Sequence, residues 1–177
     1  MREKIHSIDK NIIDFIYYKL KNPVLDRVMP FITHLGDGGL IWIIISALLI
    51  FKPQYRNLGV LCLMSLALSV LLTEGIIKNI VERVRPIIRY PRENPLVTIP
   101  KSYSFPSGHT SSSFAIATVL FITFPYLKLA SLLLAFMIGF SRIYLYVHYP
   151  TDVFVGMIIG VLSAVIVLIT YKNILIY

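Results

Sequence analysis

Three short clusters carry the residues with chemistry in them. The first is Lys78 and, seven residues on, Arg85-Pro86. The second is Pro106-Ser107-Gly108-His109, followed by Thr110-Ser111-Ser112-Ser113. The third is Ser141-Arg142, then His148, with Asp152 four residues later. Arg, His and Asp at membrane depth are costly, so by default they mark a functional site. If a helix starts near Pro150, Asp152 lies in its first turn and can reach back to the His148 ring. A carboxylate on one imidazole nitrogen fixes the tautomer and frees the other to act as base, nucleophile or ligand. The competing reading is an interfacial His–Asp pair that anchors a helix end.

The other clusters supply anion-binding groups. On a helix, Lys78 and Arg85 would point to nearly the same side, with Pro86 stopping the helix. Two cations so placed repel each other unless an anion lies between them. Arg grips phosphate oxygens in a bidentate way and Lys adds a point charge. Glu74 and Glu82, four residues either side of Lys78, are its natural ion-pair partners. Ser107 suits a helix N-cap. Gly108 lets a ligand approach the backbone, and the free N–H groups and helix dipole there attract anions. His109, in the first turn, is placed to donate a proton. Arg142 adds a third cation, and His148 is the leading nucleophile, oriented by Asp152.

This inventory suits phosphoryl transfer, in which catalysis is mostly positioning and charge stabilisation. One histidine would attack phosphorus and the other would protonate the leaving oxygen. A metal site built from His109, His148 and Asp152 is the competing chemistry. Lys78, Arg85 and Arg142 would repel a cation among them, so the expectation is no metal and no cofactor. Gly-x-Ser-x-Gly, the mark of a serine-hydrolase nucleophile elbow, is absent.

These groups need a membrane scaffold. The 177 residues are 56% hydrophobic, with a mean hydropathy of +0.75 that is too apolar for a soluble domain. Apolar runs at 40–51, 57–77, 107–124, 126–146 and 151–171 predict an all-α integral membrane bundle of five spans, or six elements if the N-terminal region enters the membrane. Residues 1–35 read as an amphipathic segment lying in the interface, with Ile5, Ile8, Ile12, Ile13, Ile16 and Leu20 at helical spacing. Asn22-Pro23 breaks it, a second short helix follows over 24–35, and Gly36-Asp37-Gly38-Gly39 makes a turn. The whole chain reads as one domain, with residues 78–152 as its signature region. The first 35 residues carry too many charges for a cleavable signal peptide, and the lone Cys62 sits in an apolar run as a small core residue. The net charge of +8 points to anionic lipid or a phosphate-bearing substrate, and not to nucleic acid, because the basic residues are not on a soluble scaffold. Of the 17 Lys and Arg, 13 lie in the N-terminal region and the loops at 78–106 and 142–150, which by the positive-inside rule would face the cytoplasm. Oligomeric state is not legible.

In order and spacing, Lys78, six residues, Arg85-Pro86; Pro106-Ser107-Gly108-His109; and Ser141-Arg142, five residues, His148, three residues, Asp152 resemble the three-part signature of the type-2 phosphatidic acid phosphatases. Their superfamily includes the vanadium haloperoxidases. The resemblance implies a small bacterial membrane lipid phosphatase that needs no metal. His148 would form a phosphohistidine and Asp152 would orient it. His109 would be the acid and then the base for water, and Lys78, Arg85, Ser107, Gly108 and Arg142 would hold the phosphate. It also implies a site on the outward face of the cell membrane, against the raw charge count. Substrates implied are undecaprenyl diphosphate first, then phosphatidylglycerophosphate, phosphatidic acid or a lipid A phosphate, with the loop from 87 to 105 as a specificity element. A vanadate-dependent haloperoxidase is the alternative of another class, which membrane burial of the site opposes.

Overall fold

The computed structural model describes residues 2–176. Among these residues the chain is helical, with no strand. Helix α1 (Arg2–Phe15) runs on through a wider turn at Ile16–Leu20. Asn22 ends that run and starts α2 (Pro23–Leu35): its side chain accepts from Val24 N at 3.1 Å and Leu25 N at 3.0 Å, with Pro23 in the first helical position. Gly38 and Gly39 then take positive φ, 58° and 72°, and allow the tight turn into α3 (Leu40–Ile50). Helix α4 (Arg56–Val70) continues through a π-helical stretch at Leu71–Ile77 into α5 (Lys78–Val81). A short α6 (Pro86–Arg89), a long loop, α7 (Gly108–Thr123), α8 (Lys128–Tyr144) and α9 (Pro150–Ile176) complete the chain.

Three stretches are long and apolar enough to cross a bilayer: Pro53–Arg89, Pro125–Tyr144 and Pro150–Asn173. The pair Pro23–Leu35 and Asp37–Ile50, bent by 48°, makes a fourth if it counts as one span. The apolar run at 40–51 thus falls in a bent pair with the helix expected over 24–35, and the described residues hold three or four candidate spans where five were expected.

Helix α7 is the axis of the bundle. It packs against α4, α8 and α9, and its buried face includes Thr110, Ser111, Ser112, Ser113, Phe114, Ile116 and Leu120. Its 16 residues rise only about 24 Å, less than a full hydrocarbon core of about 30 Å. Small side chains let its neighbours approach. A Cβ on Gly156 would meet Ser107 O at 2.6 Å, and one on Gly160 would meet Ala115 N at 2.9 Å and also strike Ser111 O. Trp42, fully buried, donates Nε1–H to Ser113 Oγ at 2.9 Å and ties α3 to this axis.

At the N-terminus, Ile13 and Ile16 are buried, whereas Ile5, Ile8 and Ile12 are exposed. Asp9, on the same helix, is fully buried.

The α7–α9 seam yields the first expectation. Gly160→Val lowers the thermal midpoint in detergent by the equivalent of about 1–3 kcal/mol, the usual cost of overpacking, because the obstacles are backbone atoms that cannot rotate away. Thermal unfolding followed by size exclusion checks it; an unchanged midpoint contradicts this packing.

Candidate active site

The loop between α8 and α9 carries the central imidazole. Tyr146 turns the chain with a φ of 61°, and Val147 N and His148 N both donate to Arg142 O at 3.2 Å. His148 is left 2% exposed. Its Nε2 lies 2.9 Å from Arg85 Nη1. A guanidinium only donates, so Nε2 is the acceptor and the ring proton sits on Nδ1. Nδ1 faces Asp152 Oδ2 at 3.6 Å, an ion-pair distance longer than a hydrogen bond. Asp152 is held more closely by others: Oδ2 accepts from Tyr149 N at 2.9 Å and Oδ1 from Arg83 Nη1 at 2.6 Å. The expected His148–Asp152 pairing is present, therefore, but with Arg83 as the nearer partner of the carboxylate.

Arg85 reaches His148 by a route other than the one expected. The helix carrying Lys78 stops at Val81, and Glu82 takes a left-handed φ of 48°. Lys78 and Arg85 thus do not share a helix face, and Pro86 starts α6 instead of ending a helix. Arg85 lies in the extended link between, 2% exposed. Its guanidinium donates to Ser102 O at 2.8 Å, Tyr103 O at 3.0 Å, Ser102 Oγ at 3.1 Å and Val147 O at 3.0 Å. It pins the long loop to the His148 turn. Lys78 Nζ pairs with Glu74 Oε1 at 2.5 Å, as its i,i+4 spacing implied. Arg142 Nη1 donates to Thr33 Oγ1 at 2.6 Å, and among the described residues its buried Nε has no hydrogen-bond partner.

Ser107 caps α7 as its residue type suggested. Its Oγ accepts from Thr110 N at 3.4 Å and from Thr110 Oγ1 at 2.8 Å, and its own N–H donates to Asp152 O at 3.0 Å. That last bond joins the second cluster to the third. His109 Nε2 meets Asp37 Oδ1 at 2.7 Å, and Asp37 Oδ2 meets His34 Nδ1 at 2.7 Å. Gly36 leaves room for this ring, since a Cβ there would come within 2.9 Å of His109 Cδ2.

Lys78, Arg85, Gly108, His109, Arg142 and His148 all line one cavity of about 330 Å³. Two of the eight residues singled out by sequence do not line it. Ser107 and Asp152 are fully buried behind the wall, where they hold other groups. Three cations and the open first turn of α7 face a space whose lining includes one carboxylate, that of Glu74. Among the described residues no three His, Cys, Asp or Glu side chains gather as a metal-ligand set. Burial, and then the charges of Arg85 and Arg142, hold the His148 imidazole well below the ordinary histidine value. Arg83, Asp37 and Thr33 were not found from sequence. Arg83 sits inside the six-residue spacer of the first cluster, and Asp37 in the Gly-Asp-Gly-Gly turn, and neither position was given a role.

Residues 58–175 match the PAP2 superfamily. The chain belongs to that superfamily. With its apolar helices, this membership makes it a multi-pass membrane protein. An undecaprenyl-diphosphatase of Sulfolobus acidocaldarius is 29% identical over 137 residues; the match covers 77% of this chain and 66% of that protein, just under two thirds of its length. Two crystal structures are similar throughout. Aquifex aeolicus LpxE superposes with a TM-score of 0.74 at 32% identity, covering 89% of this chain and 93% of that one. A PAP2-type phosphatidylglycerolphosphate phosphatase of Bacillus subtilis superposes with a TM-score of 0.77 at 32% identity, covering 97% and 88%.

The depressed imidazole is directly measurable. A folded-state value below the ordinary one leaves His148 neutral where a free histidine would be charging. In the ligand-free protein its ring resonances therefore titrate well below a free histidine, and a step near 6.5 contradicts the geometry.

Proposed function

We propose that this chain is a membrane lipid phosphatase working through a phosphohistidine at His148. The observation that carries the reading is the His148 ring itself. It is neutral and backed by Asp152, and it turns Nε2 into a cavity lined by Lys78, Arg85 and Arg142. A proximal lone pair and a cluster of cations are what an incoming phosphoryl group requires.

The steps follow from the geometry. On binding, Arg85 Nη1 exchanges Nε2 for a phosphate oxygen, which frees the lone pair. Nε2 attacks phosphorus; the N–P bond forms as the bond to the leaving oxygen breaks, and that oxygen takes a proton from His109. Asp152 stabilises the proton on Nδ1 as the ring becomes cationic. His109 then removes a proton from water, water oxygen attacks phosphorus, the P–N bond breaks and inorganic phosphate leaves. Lys78, Arg85, Arg142 and the α7 N-terminus, with Gly108 giving close approach, balance the charge on the equatorial oxygens.

The chain is read here as one domain with five crossings: the bent α2–α3 pair, α4 with α5, α7, α8 and α9. The site-bearing end is assigned to the outward face of the cell membrane. Lys78, Arg83, Arg85, Arg92 and Arg142 support that orientation, because each is engaged within the protein and none is a free topological signal. Among substrates, undecaprenyl diphosphate leads, in line with the named archaeal relative. The Bacillus subtilis structural neighbour keeps phosphatidylglycerophosphate in the panel.

Phosphate release in detergent with excess EDTA tests this, using undecaprenyl diphosphate, phosphatidylglycerophosphate, phosphatidic acid and a lipid A phosphate. Release persists in EDTA, and His148→Ala lowers kcat at least about 10³-fold, the scale on which removal of a nucleophile acts. His109→Ala lowers it by about 10²–10⁴-fold. Release that EDTA abolishes, or that survives His148→Ala, rules the mechanism out.

A further inference from the structure

The family match begins at residue 58, yet a residue near the start of the chain is built into the back of the site. Asp9, on α1, is fully buried. Its Oδ2 accepts from Arg83 Nη2 at 2.6 Å and from Thr151 Oγ1 at 2.5 Å, and its Oδ1 accepts from Thr151 N at 3.0 Å. Arg83 in turn gives Nη1 to Asp152 Oδ1 at 2.6 Å and to Thr151 Oγ1 at 2.8 Å, and lies 3.9 Å over the Tyr149 ring. The result is a continuous series, Asp9–Arg83–Asp152–His148, with one guanidinium bridging two buried carboxylates.

We propose that Asp9 and Arg83 are positioning residues for the reaction: they hold the Asp152 carboxylate toward His148, which makes the N-terminal helix part of the catalytic apparatus. This rests on the phosphatase reading above. The physical need is specific. Asp152 is fully buried, and among the described residues its ion-pair contacts are Arg83, at hydrogen-bond distance, and His148, at 3.6 Å. Without Arg83 the carboxylate has no cation to fix which oxygen faces Nδ1, and a buried unpaired carboxylate is strongly disfavoured. Arg83 would wander in the same way without Asp9, since its two forks are fixed by the two carboxylates together. Neither residue lines the cavity, so neither touches substrate. The effect must therefore fall on the chemical step.

The test is a double-mutant cycle on phosphate release by the full chain in detergent, with the best substrate of the panel. Arg83→Met lowers kcat about 10- to 100-fold, the cost of a small misplacement of a reacting group, and leaves KM within about threefold. Arg83→Lys recovers only part of this, because an ammonium cannot fork between two carboxylates. Asp9→Asn gives a smaller loss in the same parameter. In an Asp152→Asn background both substitutions cost less than about twofold, because contributions transmitted through one residue are not additive. A second tether of the same helix, Asp14 with Arg92 and Tyr146, does not reach Asp152, so Asp14→Asn remains additive with Asp152→Asn. Full additivity of Arg83→Met with Asp152→Asn overturns the proposal, as does a loss confined to KM. Non-additivity of Asp14→Asn overturns it too, by showing general loosening. If Arg83→Met does not fold, Asp9→Asn decides: wild-type kcat with a wild-type melting profile is fatal to the proposal, and reduced kcat with that profile supports it. A wild-type protein inactive on every lipid in the panel would instead remove the phosphatase reading on which the proposal stands.

Discussion

The site depends on how Lys78, Arg85 and Arg142 are kept out of water around one space. Each is 5% exposed or less. Mutual repulsion would drive three such charges apart if the scaffold allowed it. They stay because each is tied to a group of the scaffold: backbone carbonyls for Arg85, the buried Thr33 hydroxyl for Arg142, and, for Lys78, the half-exposed Glu74 carboxylate one helical turn away. These contacts offset only part of the cost of burial. In the proposed mechanism the remainder is met by the phosphoryl group of the substrate. Arg85 Nη1 already lies against the imidazole nitrogen to which that group would be transferred.

The bundle makes such a cluster possible by keeping its central helix thin at one end. The start of α7 carries Gly108, Thr110 and three serines beside His109, and glycines at 156 and 160 let α9 lie directly on its backbone. This close seam brings Ser107 N to Asp152 O. The helix N-terminus that faces the cavity and the residue whose carboxylate backs the imidazole are thereby joined by one hydrogen bond. A bulkier seam would move them apart together, whatever happened to the residues of the site.

Much of this was legible in the sequence, and the reason differs from part to part. The helical class and the turn at Gly36–Gly39 follow from hydropathy and residue type, which act locally. The Ser107 cap and the Glu74–Lys78 pair were readable because their partners lie three or four residues away. Lys78 and Arg85 were expected to meet one anion from a shared helix face; both line one cavity, but they reach it by another geometry. Their seven-residue spacing fits a helix face, yet the left-handed Glu82 breaks the helix and carries Arg85 in on an extended strand of chain. Asp9, Arg83 and Asp37 were missed for one shared reason. Each owes its role to a partner more than 60 residues distant, and no periodicity records such a pairing. Asp9 in particular sits among lysines and isoleucines, in a pattern that describes a surface helix.

Two imidazoles at the cavity are each backed by a carboxylate, and the two pairs differ in access to water. Behind His148 the pair is closed, with Asp152 fully buried and Arg83 beyond it. Behind His109 it is open, with the Asp37 side chain 53% exposed and that of His34 63% exposed. The proposed mechanism asks for this difference. A nucleophile keeps its Nδ1 proton throughout the cycle, so contact with solvent there would only let the tautomer drift. An acid that becomes a base must exchange a proton with its surroundings in every turnover. A short hydrogen-bonded path from His109 through Asp37 to an exposed imidazole provides that exchange without opening the phosphate cavity itself. The proposed division of roles between the two histidines therefore rests on which carboxylate meets water, as well as on the contact of His148 Nε2 with Arg85.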